Sequence, residues 1–175
     1  MTENTKFNAA ILIIGNEILS GRTQDTNTST IAQWLNSIGV KVNEVRVIPD
    51  IENTIVETVN HLRKVNNYVF TTGGIGPTHD DITAQSISKA FNLKYEIHKE
   101  AFKILEAYYK VGEFNEGRQK MVWMPCDANL ILNPTSGAPG FYVENVFCLP
   151  GVPSILKSML GGLKNKIVGG DPILS

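Results

Sequence analysis

The sequence predicts an α/β fold built on a largely parallel sheet, and three observations carry that expectation. Short apolar runs, "AAILIIG" at 9–15 and "YVFTT" at 68–72, suit strands covered on both faces. Between them lie stretches whose apolar residues recur at helical spacing, so the first half reads β-α-β-α-β. Turn-forming residues such as Gly39 and Pro49-Asp50 close these runs.

Taken in order, 9–15 is the first strand. From Asn27 to Ser37, with Ile38 just beyond, Ile31, Trp34, Leu35 and Ile38 fall on one face of a helix. Gly39 follows where a helix end favours a residue tolerant of positive φ. Residues 40–48, "VKVNEVRVI", are β-branched and partly alternating, and Asp50 is placed to cap a helix carrying Ile51, Ile55, Val59 and Leu62. After "YVFTT", segments 81–91 and 99–111 read as helices flanking a short strand at 93–98, and 112–118 reads as a polar connection. The chain then turns to strands at 129–133, 140–145 and 146–150, the last two forming a hairpin at Glu144-Asn145. A final helix over 152–163 carries Pro153 in its first turn. The expectation is one domain over 1–175, with 1–7 and 165–175 as loose ends.

Bulk composition narrows the function classes. With 42% hydrophobic and 19% charged residues over 175 positions, the chain is long enough to bury a core without disulfides or metals as staples. A formal charge of -1, with the 16 basic residues spread along the chain, offers no footprint for nucleic acid or an anionic membrane. The apolar runs fall far short of the roughly 20 residues a membrane span needs, and "MTENTKFN" lacks a signal-peptide pattern, so a cytoplasmic location is expected. Cys126 and Cys148 have no zinc or disulfide spacing, and Cys148 alternates into the core.

Ligands of open α/β sheets gather beyond the carboxyl ends of the strands. Three loops occupy that place: 15–27, "GNEILSGRTQDTN"; 73–81, "GGIGPTHDD"; and 151–154, "GVPS", with "PTSGAPGF" at 134–141 as a fourth candidate. Gly73, Gly74 and Gly76 let backbone amides approach an anion, and Asp80 or Asp81 can cap the helix that follows. The loop is neither a P-loop, since no Gly-Lys-Ser/Thr follows, nor a dinucleotide fingerprint, since His79 stands where its last glycine belongs. It has no lysine or arginine, so a phosphate held there needs another counter-charge. A Mg²⁺ shared between carboxylate and phosphate oxygens is the economical one. Glu17 and Asp25 place two further carboxylates on the same sheet edge, and His79 is a candidate acid, base or ligand. Thr78, Thr135, Ser136, Gly137, Arg22 and Arg118 are candidate phosphate contacts, whereas Lys120 reads more simply as solvated surface charge. Each of these turns taken singly is an ordinary loop; their convergence is what points to a site.

In order along the chain, "GNEILSG…DTN", "TTGGIGPTHDDIT", "NEGRQKMVWMP", "SGAPGF" and "LPGVPS" resemble the N-terminal domain of the CinA competence/damage-inducible family over residues 8–160. That domain lies within the MoaB/Mog-like molybdopterin-binding superfamily and is similar to the molybdopterin-binding-like domain of FAD synthetases. The resemblance implies a three-layer α/β/α fold with a mostly parallel sheet, and a homo-oligomer, dimer or trimer. It implies ligand phosphate and Mg²⁺ at Gly73, Gly74, Gly76 and Asp81, with Glu17 and Asp25 carried over from the acidic loop; the residues themselves add Asp80 as a further candidate metal ligand and Asp81, Asp25 and His79 as candidate catalytic residues. By that likeness the activity is divalent-metal-dependent (Mg, Mn or Co) hydrolysis of a nucleotide pyrophosphate such as ADP-ribose or FAD. The alternative is a non-catalytic molybdopterin- or nucleotide-binding protein linked to molybdenum cofactor biosynthesis. Molybdopterin enzymes usually carry an Arg-Asp pair where this chain has Asp80-Asp81, which tilts the expectation toward pyrophosphate chemistry. Full CinA proteins continue into a nicotinamide-mononucleotide amidohydrolase domain; these residues do not contain one, and no deamidase activity is expected of them.

Overall fold

The computed structural model of the chain describes residues 7–173. Its elements run β1 (Asn8–Ile14), α1 (Asn16–Leu19), α2 (Asn27–Ser37), β2 (Lys41–Ile48), α3 (Glu52–Val65), β3 (Tyr68–Thr72), α4 (Thr83–Ala90) and β4 (Tyr95–Ile97). They continue with α5 (Lys99–Tyr108), α6 (Glu116–Gln119), β5 (Trp123–Pro125), β6 (Asn129–Ile131), β7 (Gly140–Val143), β8 (Val146–Leu149) and α7 (Pro153–Leu160). A six-stranded sheet has the order β2-β1-β3-β8-β7-β6, in which β2, β1, β3 and β8 are parallel and β7 runs against both of its neighbours.

The period of two in β1 divides the core. Ala10, Leu12 and Ile14 face α3, α4 and α5 through Ile55, Val59, Leu62, Ile87 and Leu105. Ala9, Ile11 and Ile13 face α2 and α7 through Ile31, Leu35, Leu156 and Met159. Helices on both faces make a three-layer α/β/α molecule, and they explain why β1 reads as an unbroken apolar run. Between the layers, Phe70 of β3 stacks on Phe147 of β8 with centroids 5.0 Å apart.

Three local expectations are corrected. Asp50 does not cap α3, whose N-cap is Ile51 with no side-chain bond; its carboxylate instead accepts from the Asn16 amide at 3.3 Å. Asp80 does not cap α4, which begins at Thr83 after an uncapped Ile82. The segment from 165 onward is not a loose end as far as it is described. Ile167 is buried, Tyr68 Oη bonds with the Val168 backbone at 2.8 Å, and the Ile173 amide donates to the Asn36 carbonyl at 2.7 Å, so this stretch docks on the end of α2. Residues 1–6 and 174–175 lie outside the described residues.

Three of these elements were not expected: the short helices α1 and α6, which lie in the loop 15–27 and at the polar connection 112–118, and one strand. Residues 123–125 form β5, which pairs antiparallel with β4 in a separate two-stranded sheet (Tyr95 with Pro125, Ile97 with Trp123). Helix α5 stops at Tyr108, three residues before the expected 111, and Tyr109 turns off to stack against Phe114.

Candidate functional site

The strand order reverses between β1 and β3: the connection from β1 leads outward to β2, while the chain after β3 crosses to the side of β8. Such a switch opens a crevice at the carboxyl ends of the strands. A cavity of about 410 Å³ lies there, walled by the end of β1, the loop 23–27, the loop after β3 and Pro150–Pro153 after β8.

The floor of this cavity depends on two glycines. Gly73 and Gly74 adopt φ of 93° and 76°, left-handed values that favour glycine. A Cβ on Gly73 would collide with the Ile14 carbonyl oxygen, and one on Gly74 with Thr83 Oγ1. The turn is pinned from both ends. The Gly73 amide donates to the Leu149 carbonyl at 3.0 Å, while Thr83 donates its amide to the Gly74 carbonyl and its hydroxyl to the Gly73 carbonyl, each at 2.9 Å. Among the described residues the amides of Gly74, Ile75 and Gly76 donate to no protein acceptor, and all three residues line the cavity.

The carboxylates divide by what they already bind. Asp81 Oδ2 accepts from the Thr78 amide at 2.9 Å and the Thr78 hydroxyl at 2.8 Å, which folds the 78–81 segment into a turn and leaves Oδ1 without a protein donor. Asp25 is spent on the start of α2. Its Oδ1 accepts from the amides of Asn27 at 2.9 Å and Thr28 at 3.3 Å, and its Oδ2 from the Thr28 hydroxyl. Asp25 lines the cavity beside Glu17 and Asp81, and its oxygens already serve the amides at the start of α2, which need acceptors.

A second recess, of about 240 Å³, adjoins the first and is lined by Glu17, Arg22, Asp50, Asp80 and Asp81. Burial, opposed by the Asn16 N–H and reinforced by the neighbouring charges of Glu17, Asp81 and Asp80, pushes the Asp50 carboxyl above the usual carboxylate range. Glu17 and Asp81 line both cavities and stand between them. The donor set is all hard oxygen, the chemistry Mg²⁺ takes, with Asp81 Oδ1 open. Among the described residues no group of three or more His, Cys, Asp or Glu side chains is preassembled to hold an ion. The residues fit a cation that keeps its own waters or arrives with ligand phosphate, and do not form an all-protein cage.

Several expected contacts fall elsewhere. Arg118 sits 4.5 Å over the Tyr109 ring and donates to the Glu113 carbonyl at 2.7 Å, outside both recesses. Thr135 and Ser136 are held by internal bonds to Ser158 and Asn133, and Gly137 lies against Tyr108. His79 does not line the glycine cavity; its side chain is 93% exposed, with Nε2 3.3 Å from Asp80. Lys120, read from sequence as a surface charge, instead donates to the Thr78 carbonyl and braces the back of the glycine loop.

Asn27 and Asp50 were missed as site residues. Asn27 is buried at the cavity wall; its Nδ2 bonds the Gly151 carbonyl at 3.0 Å, while its Oδ1 has no partner. The helix pattern of 27–37 could have placed Asn27 at the first turn, facing the sheet edge, but nothing in the sequence signals the loop it would meet.

Residues 10–168 match the family described as "Probable molybdopterin binding domain". The chain belongs to this molybdopterin-binding domain family. A relative from Archaeoglobus fulgidus is 37% identical over 161 residues, covering 92% of this chain and 69% of its own length. One from Caldivirga maquilingensis is 38% identical over 158 residues, covering 87% of this chain and 62% of its own. The chain thus spans about two thirds of the length of these relatives. The crystal structure of CinA from Thermoplasma acidophilum, described as having unknown function, superposes with a TM-score of 0.84 at 31% identity, covering 92% of this chain and 99% of that one. The molybdopterin biosynthesis enzyme MoaB of Thermus thermophilus shares the fold at a TM-score of 0.61 and 17% identity, over 92% of this chain and 91% of its own. The family's α/β architecture, with its mainly parallel sheet, is the one found here. Among the described residues no helix is long and apolar enough to cross a membrane.

Proposed function

We propose that this molybdopterin-binding-type domain holds the phosphates of a nucleotide pyrophosphate at the loop 73–81 and, with a divalent cation, hydrolyses it. One observation supports this most: the unspent amides of Gly74, Ile75 and Gly76 at the strand-order switch lie beside Glu17 and Asp81, in a loop without lysine or arginine. Backbone amides orient phosphate oxygens, but they do not neutralise them, and the flanking carboxylates would repel a bare anion. A divalent cation, when bound, supplies that charge compensation. Glu17 and the open Oδ1 of Asp81 would hold it, with Asp80 and Asp50 facing the same recess. Thr78 and Lys120 fix Asp81 and the loop from behind, so the phosphate is positioned before chemistry begins. Ile13, Ile14 and Ile18 exclude water from the inner wall.

The test incubates the purified chain with ADP-ribose or FAD and Mg²⁺, Mn²⁺ or Co²⁺ and measures AMP release. Metal-dependent AMP release is expected, and Asp81→Asn should lower it by about 10- to 100-fold while the circular dichroism spectrum stays unchanged. Saturable binding of nucleotide or pterin with no turnover under any metal would leave the domain a carrier. That second reading is favoured by one feature: no cage of three carboxylates is preassembled among the described residues. No binding of either ligand class would overturn both readings.

A further inference from the structure

We infer that the face of the β4–β5 sheet beside the glycine loop is a nucleobase subsite, in which Trp123 and Tyr95 stack the purine of a nucleotide whose phosphates sit at residues 74–76. This inference rests on the phosphate reading above and names the other end of the ligand. The two rings lie 5.4 Å apart at 45°, and Trp123 is 38% exposed although it is among the largest apolar side chains of the chain. Ile97, paired with Trp123 across the strands, is 42% exposed on the same small sheet. Together these residues line a broad recess of about 820 Å³ with His79, Gln85 and Lys120.

Two observations tie that recess to the glycine loop. Tyr95, Trp123 and Lys120 also line a narrow cleft with Gly74, Gly76 and Asp81, so the aromatic face and the phosphate loop share a wall. The Lys120 ammonium bonds the Thr78 carbonyl between them and fixes their relative placement. A ligand reaching both places must bend across that shared wall. A purine joined to its phosphates through a rotatable ribose link has the freedom to bend in this way. Exposed aromatic faces take up planar bases through stacking, and Gln85 offers amide donors and acceptors at the edge.

The test compares Mg²⁺-ADP with Mg²⁺-pyrophosphate by calorimetry. ADP should bind the native chain about tenfold more tightly than pyrophosphate. Trp123→Ala should bring ADP down to the pyrophosphate level and leave pyrophosphate unchanged, while Trp123→Phe keeps most of the gain. Because the chain has two tryptophans, a Trp34→Phe background leaves Trp123 as the sole emitter, and its fluorescence should be quenched by ADP and not by pyrophosphate. Equal loss of both ligands in Trp123→Ala would mean that the residue only supports the loop, and no loss of either would empty the subsite of meaning; both results overturn the inference. A reduced pterin that binds more tightly than ADP through Trp123 would overturn the purine assignment. If ADP and pyrophosphate both fail to bind the native chain, the phosphate reading itself falls and this inference with it.

Discussion

The turns 73–81 and 134–137 look alike as sequence, each a Gly-containing run with hydroxyl side chains beyond a strand, yet they have opposite fates. In the second, Asn133 gathers everything inward. Its Oδ1 accepts the amides of Thr135 and Ser136 at 3.0 and 2.9 Å, and its Nδ2 reaches Ser136 Oγ at 2.7 Å and the Ala138 carbonyl at 2.9 Å. In the first, the bonds at Thr78, Thr83 and Leu149 hold the ends of the loop and leave the amides at 74–76 unspent. A loop becomes a ligand site through the donors its own fold does not consume; glycine and hydroxyl content alone says nothing of that.

The largest test of this contrast is Gly73→Ala. The left-handed backbone costs about 1–2 kcal/mol for a residue with a Cβ, and the collision with the Ile14 carbonyl adds to it, since β1 lies in the core and cannot withdraw. Expected are a loss of roughly 3 kcal/mol in urea unfolding and at least a tenfold loss of nucleotide affinity. An alanine variant with native affinity would mean that the glycine turn does not shape the phosphate site.

Asn133→Ala addresses the other loop and separates stability from binding. Asn133 is only 9% exposed, and removing this hub takes the acceptor from the amides of exposed Thr135 and half-buried Ser136, so unfolding should move by about 1 kcal/mol. Nucleotide affinity, measured well below the melting temperature, should stay native. If affinity fell together with stability, the 134–137 turn would belong to the site after all.

The same contrast marks what the sequence could and could not disclose. The apolar parity of β1, the helical spacing over 27–37 and the hairpin at Glu144-Asn145 all report burial, which hydrophobic pattern encodes directly, and the three layers follow. The turn at 73–74 was legible because glycine takes a left-handed backbone without strain, whereas the donors the turn leaves unspent were not. Asp50 and Asp80 were misplaced as caps because a carboxylate near a helix start can serve a cap, a neighbouring loop or solvent; for Asp50 the choice is made by Asn16, 34 positions away, and for Asp80 by the loop that carries it past the start of α4. Lys120 was discounted because its partner, Thr78, lies 42 positions away in sequence. Strand β5 went unseen because three residues, one of them proline, carry no period of their own; they are a strand only because β4 lies beside them.

The smallest effect sharpens the comparison at the acidic rim. The raised Asp50 carboxyl means that the folded chain holds a proton there at pH values where the unfolded chain has released it. Fewer protons bound in the unfolded state make stability fall as pH rises from the usual carboxylate range through the folded value; below that range the contribution is level. Asp50→Asn keeps a carbonyl oxygen for the Asn16 amide while removing the titration, so it should flatten this part of the stability curve in metal-free buffer, by less than about 1 kcal/mol for a half-exposed group. Urea midpoints collected from pH 4 to 7 read it directly. Added Mg²⁺ should flatten the native curve in part, because burial still raises Asp50 while a cation between Glu17 and Asp81 offsets the neighbouring charges that add to it, and it should leave the Asn variant's curve unmoved in shape. A native curve indifferent to Mg²⁺ would count against a cation at that rim, whatever the glycine loop binds.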